Sequence, residues 1–201
     1  ALNVAIDRSQ LAEKAWVNLV GKANPAFVLP PRDQKWLTDS ALAESPQTAD
    51  AAQASQILEA AGYTKDDKGF YGKNGKEISL DLFSPDGWTD YNDAAKLIAE
   101  QAGKAGIKVT ARTVSEAEYW TPVTNGDFQL AMYGLTQSVV ADPFSNYDQY
   151  FSGKSTAKVG DAPVRGQNYS RYSNAVVNAA VDAAAATNDE ATKKAEYAKI
   201  Q

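Results

Sequence analysis

The stretch Ile78-Ser79-Leu80-Asp81-Leu82-Phe83-Ser84-Pro85-Asp86-Gly87-Trp88-Thr89-Asp90 decides the fold. Ile78, Leu80 and Leu82 alternate with Ser79 and Asp81, the period of two that a strand with one buried face requires. Beyond the turn, Ala94, Leu97, Ile98, Ala102 and Ala105 recur at helical spacing, and Asp90 stands where a side chain caps the first turn. The pattern then repeats. Ile107, Val109 and Ala111 alternate with Lys108, Thr110 and Arg112; Ser115-Glu116-Ala117-Glu118 reads as a capping box; Phe128 to Tyr133 reads as a third strand. Strands joined through helices in this way lie parallel with right-handed crossovers, so the spacing predicts an α/β fold with an at least partly parallel βαβαβ sheet flanked by helices. The segments after the three strands, Ser84 to Thr89, Val114 to Glu118 and Gly134 to Asp142, then leave from one edge. Ligands of open α/β sheets bind at that carboxyl edge.

Composition narrows the function. A chain of 201 residues holds one domain with a sizeable core or two small ones, and 44% hydrophobic with 22% charged residues is ordinary globular usage. No run approaches the roughly 18 apolar residues of a membrane span. No basic-then-apolar leader stands at Ala1, so any targeting peptide is expected to lie outside the chain. A net charge of -5 argues against a nucleic-acid partner, which needs a basic face. Cysteine and histidine are both absent, which excludes disulfides, Ser-His-Asp and Cys-His triads and His-ligated zinc. No cofactor and no metal site are expected. A carboxylate pair of the glycosidase kind stays open, since the chain carries 25 acidic residues.

Outside the central unit, Ala12, Ala15, Trp16 and Leu19 share a helical face after Asp7, a candidate cap, with Gly21 as the stop. Residues 22–47 contain Pro25, Pro30, Pro31 and Pro46 and read as an extended connector within a single lobe spanning 1–201. Ala54, Ile57, Leu58 and Ala61 mark another helix, stopped by Gly62; Asp66 to Gly69 and Lys73 to Lys76 read as two hairpin turns. Pro143 to Phe151 reads as a short aromatic helix whose Tyr147, Tyr150 and Phe151 either pack under the sheet or line a cleft. Ser152 to Gln167 reads as a mobile loop. Two C-terminal helices follow, capped by Asn174 and Asp189, and the last runs to Gln201 without a stop signal, as if the protein continued. Ser155-Thr156-Ala157-Lys158 matches the Ser-x-x-Lys pattern of penicillin-recognising enzymes but lacks its companion motifs. Asn168-Tyr169-Ser170 fits a glycosylation sequon.

In order, Ala5-Ile6-Asp7-Arg8, Ile57-Leu58-Glu59-Ala60-Ala61-Gly62-Tyr63, Gly106-Ile107-Lys108-Val109, Gly126-Asp127-Phe128, Asp142-Pro143 and Arg171-Tyr172-Ser173-Asn174 resemble the family 5 extracellular solute-binding proteins. These are receptors of ABC importers for peptides, nickel and oligosaccharides. The resemblance covers almost all of the chain. It implies a periplasmic-binding-protein type II lobe, the distal lobe or third domain of a two-lobed clamshell that closes over its ligand. It also implies a monomer working with ABC permease subunits at an extracytoplasmic site, in the periplasm or lipid-anchored at the outer face of the cell membrane.

Peptide receptors of that family carry a Trp-x-x-Asp pattern after the third strand, whose aspartate pairs with the peptide's amino terminus. Here the pattern falls on Leu135 to Ser138, and both characteristic residues are missing. A neutral serine supplies no charge-assisted bond to an ammonium group. Gly87-Trp88-Thr89-Asp90-Tyr91 and Asn168-Tyr169-Ser170-Arg171-Tyr172 look more like the oligosaccharide-binding branch, an indole face suiting a pyranose ring and amides and hydroxyls its rim. Trp88, Thr89, Asp90, Gln137 and Ser138 are therefore the expected ligand-binding residues. Trp88 reads equally well as a core residue, and Gln137 and Ser138 as plain loop residues. A peptide receptor anchored by Asp86 or Asp142, a carboxylate glycosidase and a stand-alone interaction domain are the alternatives.

Overall fold

The computed structural model describes residues 1–24, 26–39, 41, 48–136 and 138–201. The chain divides into two units, of which the first comprises Ala1–Ala23, Ser45–Tyr119 and Phe128–Tyr133. Two short helices open it, Leu2–Ala5 (α1) and Arg8–Lys14 (α2). Asp7 caps α2 by accepting from the Ser9 (2.9 Å) and Gln10 (3.0 Å) amides, while its own amide donates to Gln101 Oε1 (2.8 Å). α2 ends at Lys14 and not at Gly21, because Val17 and Asn18 take positive φ (44° and 60°), and Leu19, expected on its buried face, is exposed. Ala51–Ala60 (α3), capped by Asp50 and closed by Gly62, buries Ala54 and Leu58 as the spacing predicts, while Ile57 is exposed. Thr64–Lys65 (β1), Tyr71–Lys73 (β2) and Lys76–Glu77 (β3) form an antiparallel meander with the two predicted turns.

The central unit follows as Ser79–Pro85 (β4), Thr89–Lys104 (α4), Lys108–Val114 (β5), Glu116–Asn125 (α5) and Leu130–Ala131 (β6). The strand order is β5-β4-β6 and both pairings are parallel, from Ser79 opposite Lys108 to Pro85 opposite Val114, with Leu82 opposite Leu130. The βαβαβ reading is thus observed, with β6 shorter than the predicted Phe128 to Tyr133. Gln129 Oε1, accepting from the Asp81 amide (2.7 Å), and the Met132 amide, donating to the Phe83 carbonyl (2.8 Å), prolong its edge. The capping box is present: Glu118 Oε2 accepts from the Ser115 amide (3.1 Å) and hydroxyl (2.7 Å). Leu58, Tyr71, Ala102 and Ile107 form the core under the sheet, with Ile78, Leu80 and Val109 packed against them. Burying each large aliphatic chain there stabilises the unit by about 1.5 to 3 kcal/mol. Gly106 is required where α4 turns into β5. Its φ is 78°, and a Cβ would lie 2.8 Å from the Gly69 carbonyl.

The second unit comprises Asn24–Glu44, Trp120–Asp127 and Gly134–Gln201. Its described residues include the helices Phe144–Phe151 (α6), Ala175–Ala185 (α7) and Glu190–Ile200 (α8). Asn174 and Asp189 cap α7 and α8 as predicted, and Val177, Ala180, Val181 and Ala184 are all buried. Trp36 and Tyr147 meet Tyr197 edge-on at 5.3 and 5.2 Å. Tyr147 and Phe151 therefore belong to a helical core with Val177 and Val181, and not under the sheet, because α7 and α8 supply the apolar faces they fill. The connector is more than a surface strap. Ala26, Val28 and Trp36 are buried, and Trp36 Nε1 donates to the Ala141 carbonyl (2.9 Å). Pro25 and Pro46 lie outside the described residues.

Asp142, at the start of α6, accepts from the Phe144 amide (2.9 Å), Lys193 Nζ (2.7 Å) and the Tyr197 hydroxyl. Arg171, at φ 59°, donates to the carbonyls of Asn168 and Tyr169 (both 3.3 Å), Thr124 (2.9 Å) and Asp161 (2.6 Å). Its guanidinium lies over Gly126, where a Cβ would come within 2.7 Å of Nε. Asn168 is fully buried, its amide donating to the Ser152 and Tyr172 carbonyls, so the sequon does not present a surface acceptor. Ser155 is buried as well, which leaves the Ser-x-x-Lys resemblance without an accessible hydroxyl.

Candidate ligand-binding edge

At the carboxyl end of β4 the Asp86 amide donates to the Val114 carbonyl (2.7 Å), one step beyond the last paired residues. The chain turns at Gly87, and the Trp88 amide closes the turn on the Pro85 carbonyl (3.3 Å) before α4 begins. Trp88 is the N-cap residue of α4. Asp90, expected to cap the helix, lies inside the first turn with Oδ1 accepting from the Tyr91 amide (3.0 Å), because the helix starts two residues earlier than a cap at Asp90 would place it.

Trp88 is half-buried and so is not a core residue. Its ring meets Tyr91 at 5.2 Å and 68°, and lies 6.2 Å from Tyr119. Such edge contacts fix an aromatic ring by about 0.5 to 1.5 kcal/mol each beyond the area they bury. Tyr119, fully buried on α5, donates its hydroxyl to the Met132 carbonyl. Burial pushes its pKa up to about 12, with the neighbouring Tyr91 adding to the shift. Tyr91 is raised too, by burial and by the negative charge of Asp90. Thr89 is exposed. Asp90 Oδ2 accepts from Trp16 Nε1 (2.8 Å), and Trp16 in turn meets Tyr91 at 5.8 Å and 81°.

The structure thus brings Trp88, Thr89 and Asp90 together and adds Trp16, Tyr91 and Tyr119 to them. Tyr91 stands one helical turn from Trp88, a spacing that places the two on one face and was open to notice in the sequence. Trp16 had no such signal. It is 74 positions from Asp90 and its spacing pointed to a buried helix face. Gln137 lies outside the described residues. Ser138 belongs to the second unit, where its hydroxyl accepts from the Val140 amide (3.1 Å) and its carbonyl from Arg32 Nη1 (2.6 Å). Arg32 also forks onto the buried Asp33 (2.8 and 2.7 Å), so Ser138 sits in a tied turn.

The first-unit cluster combines apolar ring surface with a carboxylate acceptor and a threonine hydroxyl, a set suited to holding a neutral polar molecule. Among the described residues no group of three or more His, Cys, Asp or Glu side chains could hold a metal ion, and no helix is long and apolar enough to cross a membrane.

Comparison with known proteins agrees with the architecture. The chain is 31% identical over its whole length to Protein XP55 of Streptomyces lividans, of which it covers 34%. Its fold matches the mannohexaose-bound periplasmic oligopeptide-binding protein of an ABC transporter from Thermotoga maritima at a TM-score of 0.89 and 28% identity, covering 99% of this chain and 37% of that one. The oligopeptide-binding protein AppA of Bacillus subtilis, in complex with a nonapeptide, matches at a TM-score of 0.77 and 24% identity, again over 99% and 37%. The chain therefore spans about a third of the length of these relatives. Residues 1–158 match the family model described as bacterial extracellular solute-binding proteins, family 5 Middle, and the chain belongs to that family.

Proposed function

We propose that this chain forms one wall of the ligand cleft of an extracytoplasmic receptor that captures an oligosaccharide and delivers it to an ABC permease, without catalysing a reaction. The observation that carries the reading is the half-buried Trp88 at the carboxyl edge of a parallel sheet, held on edge by Tyr91 and backed by Tyr119. An indole fixed in this way suits the apolar face of a pyranose ring, while Thr89 and Asp90 beside it suit the ring hydroxyls. Leu135 and Ser138, where peptide receptors of the family carry tryptophan and aspartate, offer a neutral segment in place of an anchor for an ammonium group. The mannohexaose held by the Thermotoga maritima relative supports the same class of ligand.

A peptide receptor needs an available carboxylate. Asp142 does not fill that role, since its acceptor sites are taken by Lys193, Tyr197 and the Phe144 amide. The exposed Asp86 keeps peptides as the second reading. A thermal-shift screen of the full-length receptor against hexasaccharides, short peptides and buffer decides between them. A ligand at 100 times its dissociation constant stabilises the folded state by about 2.7 kcal/mol. A shift with sugars alone is expected. A shift with peptides alone overturns the ligand and keeps the family, and release of chromophore from aryl glycosides would overturn the non-catalytic reading.

A further inference from the structure

Trp16 follows a helix that stops early, and the reason it stops is a strained turn. The Leu19 amide donates to the Trp16 carbonyl (2.8 Å), and both residues between them, Val17 and Asn18, take positive φ. Turns of this kind ordinarily carry glycine, asparagine or aspartate, and a β-branched residue at φ 44° is a genuine outlier. The strain is not compensated by burial of the turn's own side chains, because Val17 is 69% and Leu19 83% exposed. What the turn does secure is the position of the indole before it. Trp16 lies beside Tyr91, which also meets Trp88, so two half-buried indoles contact one tyrosine at the end of the sheet.

The polar atom of Trp16 is already used. Its Nε1 donates to Asp90 Oδ2, so whatever the residue offers to a molecule outside is ring carbon. Backbone outliers of this type gather at ligand clamps, where the surrounding structure holds them in place. We propose that Trp16 is a ligand-contacting residue, a second aromatic wall of the Trp88 subsite, so that the site grips two neighbouring rings of an oligosaccharide with Asp90, bonded to Trp16, as hydroxyl acceptor. This rests on the oligosaccharide reading above. Asp90 then has two tasks, orienting Trp16 through Oδ2 and accepting from the sugar.

The test uses the full-length receptor with mannohexaose, cellohexaose and maltohexaose as probes. Affinities of the wild type, Trp16→Ala and Trp16→Phe are measured by calorimetry, and oxidation of Trp16 by N-bromosuccinimide is mapped by mass spectrometry with and without saturating sugar. A stacking role predicts roughly tenfold or greater loss for the alanine variant, affinity within about threefold of wild type for phenylalanine, and oxidation slowed about fivefold or more by sugar. Where the alanine variant does not fold, the oxidation of the wild type decides. Sugar binding that ignores Trp16→Ala, or leaves Trp16 unprotected, overturns this inference and leaves the ligand class standing. A wild-type receptor that binds none of the three sugars overturns both.

Discussion

Replacing Asp142 by alanine separates its structural role from the anchoring role that the peptide alternative gives it. Its side chain is 16% exposed and that of its partner Lys193 is 18% exposed, so solvent screens the pair little. Burial alone would raise the Asp142 carboxyl, but the Lys193 ammonium, the Tyr197 hydroxyl and the Phe144 amide together hold it below the usual carboxylate value. The substitution leaves a mostly buried ammonium without its counter-charge and a buried hydroxyl without its acceptor. Removing one partner of a buried pair costs about 3 to 5 kcal/mol, and the residual exposure places this site near 3. Hydrogen exchange followed by mass spectrometry on the full-length receptor reads that loss where it occurs, in peptides covering α6 and α8. At 1.4 kcal/mol per decade, protection there should fall by about 100-fold, while affinity for the ligand should stay within about twofold, since no ligand contact is lost. A loss of protection below about tenfold would show that Lys193 and Tyr197 find other partners and refute the energetic argument. A collapse of affinity with protection intact would return Asp142 to the ligand.

Trp88→Ala in the full-length receptor should weaken sugar binding by about 1 to 3 kcal/mol, the loss expected for one stacked ring, and calorimetry that finds no change would remove Trp88 from the site. The lowered carboxyl of Asp142 also sets a pH dependence. The unfolded chain binds its proton first as pH falls, so this carboxylate's contribution is complete above the unfolded value near 3.9 and is lost as pH drops through the lower folded value. Protection of α6 and α8 should therefore fall in the wild type as pH is lowered through and below about 3.9, and Asp142→Ala should flatten that decline.

The parallel sheet was legible because Ile78, Leu80 and Leu82 and then Ile107, Val109 and Ala111 carry a period that few other structures satisfy. The caps Asp7, Asn174 and Asp189 hold, since each depends on a side chain reaching an amide two or three residues on, whereas Asp90 lies inside its helix and not at the cap. The misreadings share a different cause. The end of α2 depends on a strained turn that no residue type announces, and the place of Tyr147 and Phe151 depends on which distant helices supply an apolar face. The candidate site was half legible for the same reason. Trp88 and Tyr91 are neighbours in sequence, whereas Trp16 joins them only through contacts across the fold, a hydrogen bond to Asp90 and a ring contact with Tyr91.

The bonds of Arg171 carry a consequence for the protein's response to salt. The charge pairs on the first unit, Arg112 with Asp81 and Lys108 with Glu77, are exposed and weaken as salt shortens the screening length, which is about 8 Å at 0.15 M. Arg171 instead spends its cation on four carbonyl oxygens, and those at the last turn of α5 and at Asp161 are short, directional bonds. Contacts of that length lie well inside one screening length. A rise in salt therefore weakens the exposed pairs more than it weakens the bonds of Arg171.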